Sequence, residues 1–221
     1  MLDIIRVQAP DCYRCKYGKN CETCQAECFE DAEKTFEQYG DETCAFMIEP
    51  LVQAAAGMKI YSPVYLQKLR KACDKYHVHL IADEIAVGYG RTGKMFACNH
   101  ANISPDIMCL SKGLTGGYLP TALAVTTQKI YDAFYSDYQG KAFMHSHTYC
   151  GNPLACSAAI EVLNILEEEP ILQNANRNAP YLTNLIREEL EDYHYVGDIR
   201  SIGLINAIEL VQDKASKTSF D

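Results

Sequence analysis

Two short stretches carry the residue types that do covalent chemistry. The first, residues 110–120, reads Leu-Ser-Lys-Gly-Leu-Thr-Gly-Gly-Tyr-Leu-Pro and sets Lys112 on a turn. An apolar run precedes it, and glycines with Pro120 forbid a regular element after it. A lysine at a strand end beside flexible backbone can act as a Schiff-base nucleophile, although lysines in glycine-rich turns are also simply solvated. The second stretch, residues 78–85, reads Val-His-Leu-Ile-Ala-Asp-Glu-Ile, a buried strand that ends in the carboxylates Asp83 and Glu84. In an open parallel sheet, ligands bind beyond the carboxyl ends of strands, so Asp83 and Lys112 are expected to face one crevice. That pair suits a pyridoxal cofactor: the lysine links to it and the acid keeps its ring nitrogen protonated as an electron sink.

The elements that must position this pair follow from pattern. Residues 26–39 are acidic with helical periodicity, and Gly40-Asp41 turns the chain into a short strand at 44–48 that runs into Glu49-Pro50. Ser62 caps a helix over 62–76 with Pro63 at its first position. Strand, helix, strand in this order predicts a parallel βαβ unit ending at Asp83. A further strand leads to Lys112, another covers 121–127, and a short tyrosine-rich helix covers 129–138. A polar, aromatic loop over 144–153 precedes a helix over 154–168, which Pro170 breaks. A second helix is predicted over 179–193 with Pro180 at its start, then strands over 196–199 and 203–211.

Composition restricts the function classes. The chain has 221 residues, 48% apolar and 22% charged, which argues against disorder. A net charge of -9 argues against a nucleic-acid partner. No apolar run reaches the length of a membrane span and the start lacks a secretory pattern, so no membrane partner and a cytoplasmic location are expected. Eleven cysteines in that setting predict thiols in place of a disulfide framework.

Three other patterns could do chemistry. Cys12, Cys15, Cys21 and Cys24 form two C-x-x-C pairs, followed by Cys28. Such pairs hold tetrahedral zinc, yet only five residues separate them, and a cysteine-rich surface insertion with reduced thiols is the competing reading. Residues 88–93, Gly-Tyr-Gly-Arg-Thr-Gly, match G-x-G-x-x-G, but no long helix follows and Asp83-Glu84 would oppose a pyrophosphate. His145, His147 and Cys150 share one loop with no carboxylate nearby, which fits hydrogen bonding better than metal.

Taken together, Glu49-Pro50-Leu51-Val52-Gln53, Asp83-Glu84-Ile85, the 88–93 stretch, Ser111-Lys112-Gly113 and Thr148 before Gly151-Asn152-Pro153 resemble, in order and spacing, class III pyridoxal-phosphate aminotransferases. The resemblance covers nearly the whole chain. Ala86 and the wording of residues 114–120 are similar to the subgroup that converts 8-amino-7-oxononanoate to 7,8-diaminononanoate in biotin biosynthesis. The resemblance implies pyridoxal 5'-phosphate on Lys112, Asp83 at the ring nitrogen, and Ile85 against the ring face. It implies that Thr148, with backbone from His147, reaches the phosphate of a partner subunit in a homodimer, and that Ser146 and Arg91 lie near substrate. Glu49 would order the site, for instance by pairing with an arginine.

The expected fold is therefore α/β: part of a fold-type I large domain, a mostly parallel sheet with helices on both faces, over residues 1–165 with a cysteine-rich insertion at 12–28. Residues 166–221 would begin an α+β small domain. The family's glycine-serine phosphate loop and ring-stacking aromatic have no counterpart here, so the chain reads as a fragment that is inactive alone. Its partners would be a small amino donor, S-adenosylmethionine or lysine, and a keto acceptor. The competing readings are another class III enzyme acting on ornithine, 4-aminobutyrate or a similar amine; a cysteine-rich zinc-binding interaction module; and a nicotinamide oxidoreductase.

Overall fold

The computed structural model describes residues 3–220. A 3-10 turn at Glu27–Phe29 leads into α1 (Glu30–Tyr39), whose first turn carries Glu30, Asp31 and Glu33 where the helix dipole favours negative charge. Phe36 on its inner face stacks on Phe46 (5.7 Å) and Tyr76 (5.6 Å), which fixes α1 to the first strand and the second helix at once. Strand β1 (Ala45–Ile48) is followed by a hairpin of β2 (Val52–Gln53) and β3 (Lys59–Ile60). Then comes α2 (Pro63–Tyr76), with the Ser62 hydroxyl accepting from the Val64 N–H and Pro63 in the first turn, as its sequence predicts.

Strands β4 (His79–Asp83) and β5 (Ile107–Leu110) complete the parallel part of the sheet. The order is β1, β4, β5 and then β6 (Leu123–Thr126); β1 and β5 run parallel to β4, and β6 runs antiparallel to β5. Alternation along β4 puts Leu80 and Ala82 in the core. There Leu66 and Leu69 of α2 join them, each such burial contributing about 1.5–3 kcal/mol. The other face of the sheet is more open, with Met47 60% exposed.

Residues 116–154 hold almost no buried side chain. All four residues of β6 are exposed, α3 (Gln128–Phe134) buries none, and Tyr118, Tyr135 and Met144 stand out into solvent. Beyond them, α4 (Pro153–Glu168) is capped by Asn152, whose side chain accepts from the Leu154 N–H.

The second helix differs from expectation. Instead of starting at Pro180, α5 (Ile171–Leu190) starts directly after Pro170 and runs through Pro180. Ala175 and Ala179 form a buried stripe on one side while Pro180 faces out, so packing holds the helix together where one backbone hydrogen bond is missing. The chain then forms a separate antiparallel sheet of β7 (Val196–Ile202), β8 (Ile205–Asp213) and β9 (Thr218–Ser219).

The cysteine-rich segment is not a set of free thiols. Cys12 and Cys21 are joined, their Cα atoms 5.5 Å apart, because turns closed by Gly18 N–H to Cys15 carbonyl and Cys24 N–H to Asn20 carbonyl fold the chain back. That bond removes Cys12 and Cys21 from the zinc set proposed with Cys15 and Cys24, and among the described residues no group of three metal-ligating side chains is assembled. The segment is also not a surface insertion throughout, since Cys24 and Ala26 are buried and Ala26 joins the core beside Phe29 and Tyr65.

Candidate active site

The carboxyl ends of β1, β4 and β5 lie on one edge of the sheet and deliver Glu49, Asp83-Glu84 and Ser111-Lys112 there. Asp83 is the register partner of Cys109, so their side chains share one face of the sheet, and Lys112 follows three residues later. The half-buried Cys109 thiol is pushed up by burial and by the charge of Asp83. Asp83 Oδ1 accepts the Ile85 N–H at 3.1 Å. Its second oxygen has no protein partner among the described residues.

Lys112 has φ 44°, in the left-handed region, a conformation that costs a non-glycine residue about 1–3 kcal/mol. The surroundings hold it there. The Ser111 hydroxyl donates to the Thr121 carbonyl (2.7 Å) and the Thr115 hydroxyl to the Leu119 carbonyl (2.6 Å), while Leu114 and Thr115 are buried. The lysine side chain is exposed and makes no ion pair or hydrogen bond among the described residues.

Glu84 differs from its neighbour. It is 0% exposed, and its two carboxylate oxygens accept the N–H groups of Ala97 (2.9 Å) and Cys98 (2.8 Å). Burial pushes its carboxyl up, against the pull of those N–H groups. The second acid of the pair is therefore an anchor for the following loop, a role that only its burial reveals.

That loop contains the three glycines of residues 88–93. A Cβ at Gly90 would come within 2.5 Å of Leu172, and one at Gly93 within 2.4 Å of Asn176, both on α5. Asn176 donates to the Gly93 carbonyl (2.9 Å), and the Leu204 N–H to the Arg91 carbonyl (2.9 Å). These glycines allow close packing on α5 and on the β7–β8 turn, which explains the motif without a pyrophosphate. Arg91 offers its backbone to that turn, and its exposed side chain pairs with nothing among the described residues.

Glu49 does not pair with an arginine among the described residues; its Oε2 caps its own turn by accepting the Ala54 N–H at 2.8 Å. Ser146, His147 and Thr148 lie together on the exposed 143–152 loop. Tyr149 N–H donates to His147 Nδ1 (3.1 Å) and Cys150 N–H to the His147 carbonyl (3.0 Å), which shapes the turn that presents Thr148. No hydrogen bond joins this loop to Asp83 or Lys112 among the described residues.

The donor set at the sheet edge fits pyridoxal phosphate. An unpaired amine on a strained turn and a carboxylate with one unclaimed oxygen stand at the ends of adjacent parallel strands. The family described as Aminotransferase class-III matches residues 1–220. An adenosylmethionine-8-amino-7-oxononanoate aminotransferase from Nitratidesulfovibrio vulgaris is 43% identical over all of this chain and 41% of its own length. The crystal structure of the enzyme of the same name from Methanocaldococcus jannaschii superimposes with a TM-score of 0.84 at 39% identity, covering 89% of this chain and 46% of that one. An amine transaminase from an uncultivated Pseudomonas species, solved in its PLP-bound form, gives 0.88 at 35% identity, covering 97% of this chain and 49% of that one. The chain spans less than half the length of each of these three relatives.

Proposed function

We propose that this chain, which belongs to the class-III aminotransferase family, carries the lysine and the acid of a pyridoxal-phosphate enzyme that aminates 8-amino-7-oxononanoate to 7,8-diaminononanoate in biotin biosynthesis. The observation that carries the chemistry is the placement of Asp83 and Lys112 at the carboxyl ends of β4 and β5. The substrate rests on the name shared by the Nitratidesulfovibrio and Methanocaldococcus relatives. A cytoplasmic location, a homodimer and the division into residues 1–165 and 166–221 belong to the same reading, the last supported by the separate β7–β9 sheet.

Pyridoxal phosphate, when bound, supplies an electron sink and a carrier for the amino group. Lys112 Nζ would hold it covalently, and as a free amine would be the base that takes and returns the proton at the substrate carbon. Asp83 would keep a proton on a ring nitrogen through its free carboxylate oxygen, and Ile85, fixed by its N–H to Asp83, would supply the apolar contact to the ring. Thr148 would donate to a phosphate across a subunit interface, with backbone contact from His147 beside it; both residues are exposed. Ser146 and Arg91 lie toward substrate.

Borohydride reduction of the protein loaded with pyridoxal phosphate, followed by peptide mass mapping, tests this directly. A phosphopyridoxyl tag on Lys112 is expected; a tag on any other lysine removes Lys112 from the mechanism. The amine transaminase likeness favours a second reading, another class III enzyme with a different amine partner. Turnover of 8-amino-7-oxononanoate with S-adenosylmethionine or lysine separates the two, and turnover by the 221 residues alone would refute the expectation that they are inactive.

A further inference from the structure

Five cysteines outside the site crowd one end of the core. Cys12 is bonded to Cys21, and Cys15, Cys24 and Cys28 are free. Cys12, Cys15, Cys24 and Cys28 line a single cavity of about 10 Å³, room for roughly one water. The free thiols are not equivalent. Burial pushes Cys24 and Cys28 up, which keeps them protonated at neutral pH, and the Cys24 sulfur also accepts the Ala26 N–H at 3.2 Å. Cys15 is half-buried and stands three residues from Cys12, the spacing at which two cysteines readily bond to each other.

The two residues between Cys12 and Cys15 hold the C-terminal sheet. The Tyr13 hydroxyl sits where a Cβ on Gly197 would come within 2.6 Å, so it packs directly on β7. Arg14 pairs with Glu209 on β8 and donates to the Lys217 carbonyl (2.9 Å) and the Ser219 hydroxyl (3.1 Å) on and beside β9. On the other side, the Cys12 N–H donates to the Ile60 carbonyl at 3.1 Å, which fixes Cys12 to β3. Cys12 is thus the fixed point, and Tyr13-Arg14 form the arm that reaches the second sheet.

We propose that residues 12–28 form a thiol–disulfide exchange site in which Cys12 alternates between Cys21 and Cys15, and that the choice of partner governs the Tyr13-Arg14 hold on β8 and β9. Cys15 gives its proton to solvent and attacks the Cys12 sulfur. The Cys12–Cys15 bond forms as the Cys12–Cys21 bond breaks, and Cys21 leaves as a thiolate that takes up a proton. No electrons enter or leave, so the step needs no oxidant. With Cys12 bonded to Cys21, the Tyr13 and Arg14 N–H groups both donate to Asp11 Oδ1 (3.0 and 3.2 Å), a turn that aims the two side chains at the second sheet. A bond between residues three apart closes a small ring through Tyr13 and Arg14 and re-forms that turn, which changes the aim of the arm.

The test is disulfide mapping by mass spectrometry after acid quench of the full protein, equilibrated in glutathione buffers from reducing to oxidising, with hydrogen exchange of peptides covering residues 205–220 read in parallel. Both Cys12–Cys21 and Cys12–Cys15 linked peptides are expected, with loss of protection in 205–220 that follows the Cys12–Cys15 fraction. Cys15→Ser should remove that linkage and its effect together. Cys12–Cys21 as the sole linkage at every buffer ratio overturns the proposal, as does protection that ignores which linkage is present. Zinc retained by the reduced cysteines through chelator-free purification overturns it as well, in favour of a metal site.

Discussion

Tyr89 lies against the backbone of Gly113: a Cβ added at Gly113 would stand 2.9 Å from the Tyr89 Cβ. The loop that follows Asp83 and the turn that carries Lys112 therefore touch through a position with no room for a side chain. Gly113→Ala should force one of them to move, at about 1–3 kcal/mol of stability, and weaken pyridoxal-phosphate binding because Lys112 is the adjacent residue. Absorbance titration with the cofactor and a urea melt read the two effects. Unchanged affinity together with an unchanged melt would remove this contact from the account of the site.

Gly203 makes a sharper test of how the 88–93 loop docks. It has φ 57°, and a Cβ there would meet the backbone of Thr92, Arg91 and Gly93 at 2.4, 2.5 and 2.6 Å, atoms that cannot swing aside. Gly18 has a similar φ of 66° and nothing within 4 Å. Both alanine variants carry the left-handed penalty of about 1–2 kcal/mol, so the excess loss in Gly203→Ala measures the clash alone. We expect it to be the larger loss, with the Leu204 N–H becoming exchangeable. Equal thermal shifts in the two variants would mean the hairpin is not packed on this loop.

Glu84 should matter to folding more than to chemistry. Glu84→Ala leaves the buried N–H groups of Ala97 and Cys98 without acceptors, at a cost of about 1–3 kcal/mol for each such group. Glu84→Gln keeps one acceptor oxygen and should fall between the wild type and Ala. Urea unfolding of the three proteins gives the order, and a neutral Glu84→Ala would show that water replaces the carboxylate.

The parallel unit around Asp83 was legible because its signals are local. The Ser62-Pro63 cap and the apolar runs before Asp83 and Lys112 each act over a few residues, and strand, helix and strand lie where they indicate. Pro180 misled because its effect depends on burial: a proline on the solvent side of a helix whose alanines are packed does not end it. The Cys12–Cys21 pair was illegible for a different reason. Composition weighs the compartment of the whole chain, while pairing depends on how two turns bring particular sulfurs together. Asp83 and Glu84 looked like one unit, yet Asp83 ends β4 on the face away from Leu80 and Ala82 while Glu84, just past the strand end, is fully buried, so neighbours in sequence have unlike roles.

Asp106 links α2 to the strand that ends in Asp83. Its Oδ2 accepts the Leu80 N–H (2.7 Å) and pairs with Arg70 Nη1 (2.8 Å). Burial raises its carboxyl, but the Leu80 N–H and the Arg70 guanidinium outweigh that and leave it below the ordinary value of 3.8. A carboxyl held lower in the folded chain than in the unfolded one stabilises the fold fully above the unfolded value and loses that contribution as pH falls through the folded one. The wild type should therefore exceed Asp106→Asn by about 1.5–3 kcal/mol at pH 7, the range for hydrogen bonds to a charged group. The gap should narrow steadily below about pH 4. Taking the difference between the two proteins cancels the other carboxylates that titrate in the same range. Urea melts of both at pH 7, 5, 4 and 3 provide it, and a gap that stays constant down to pH 3 would mean that the Arg70 pair adds nothing to the ionised form.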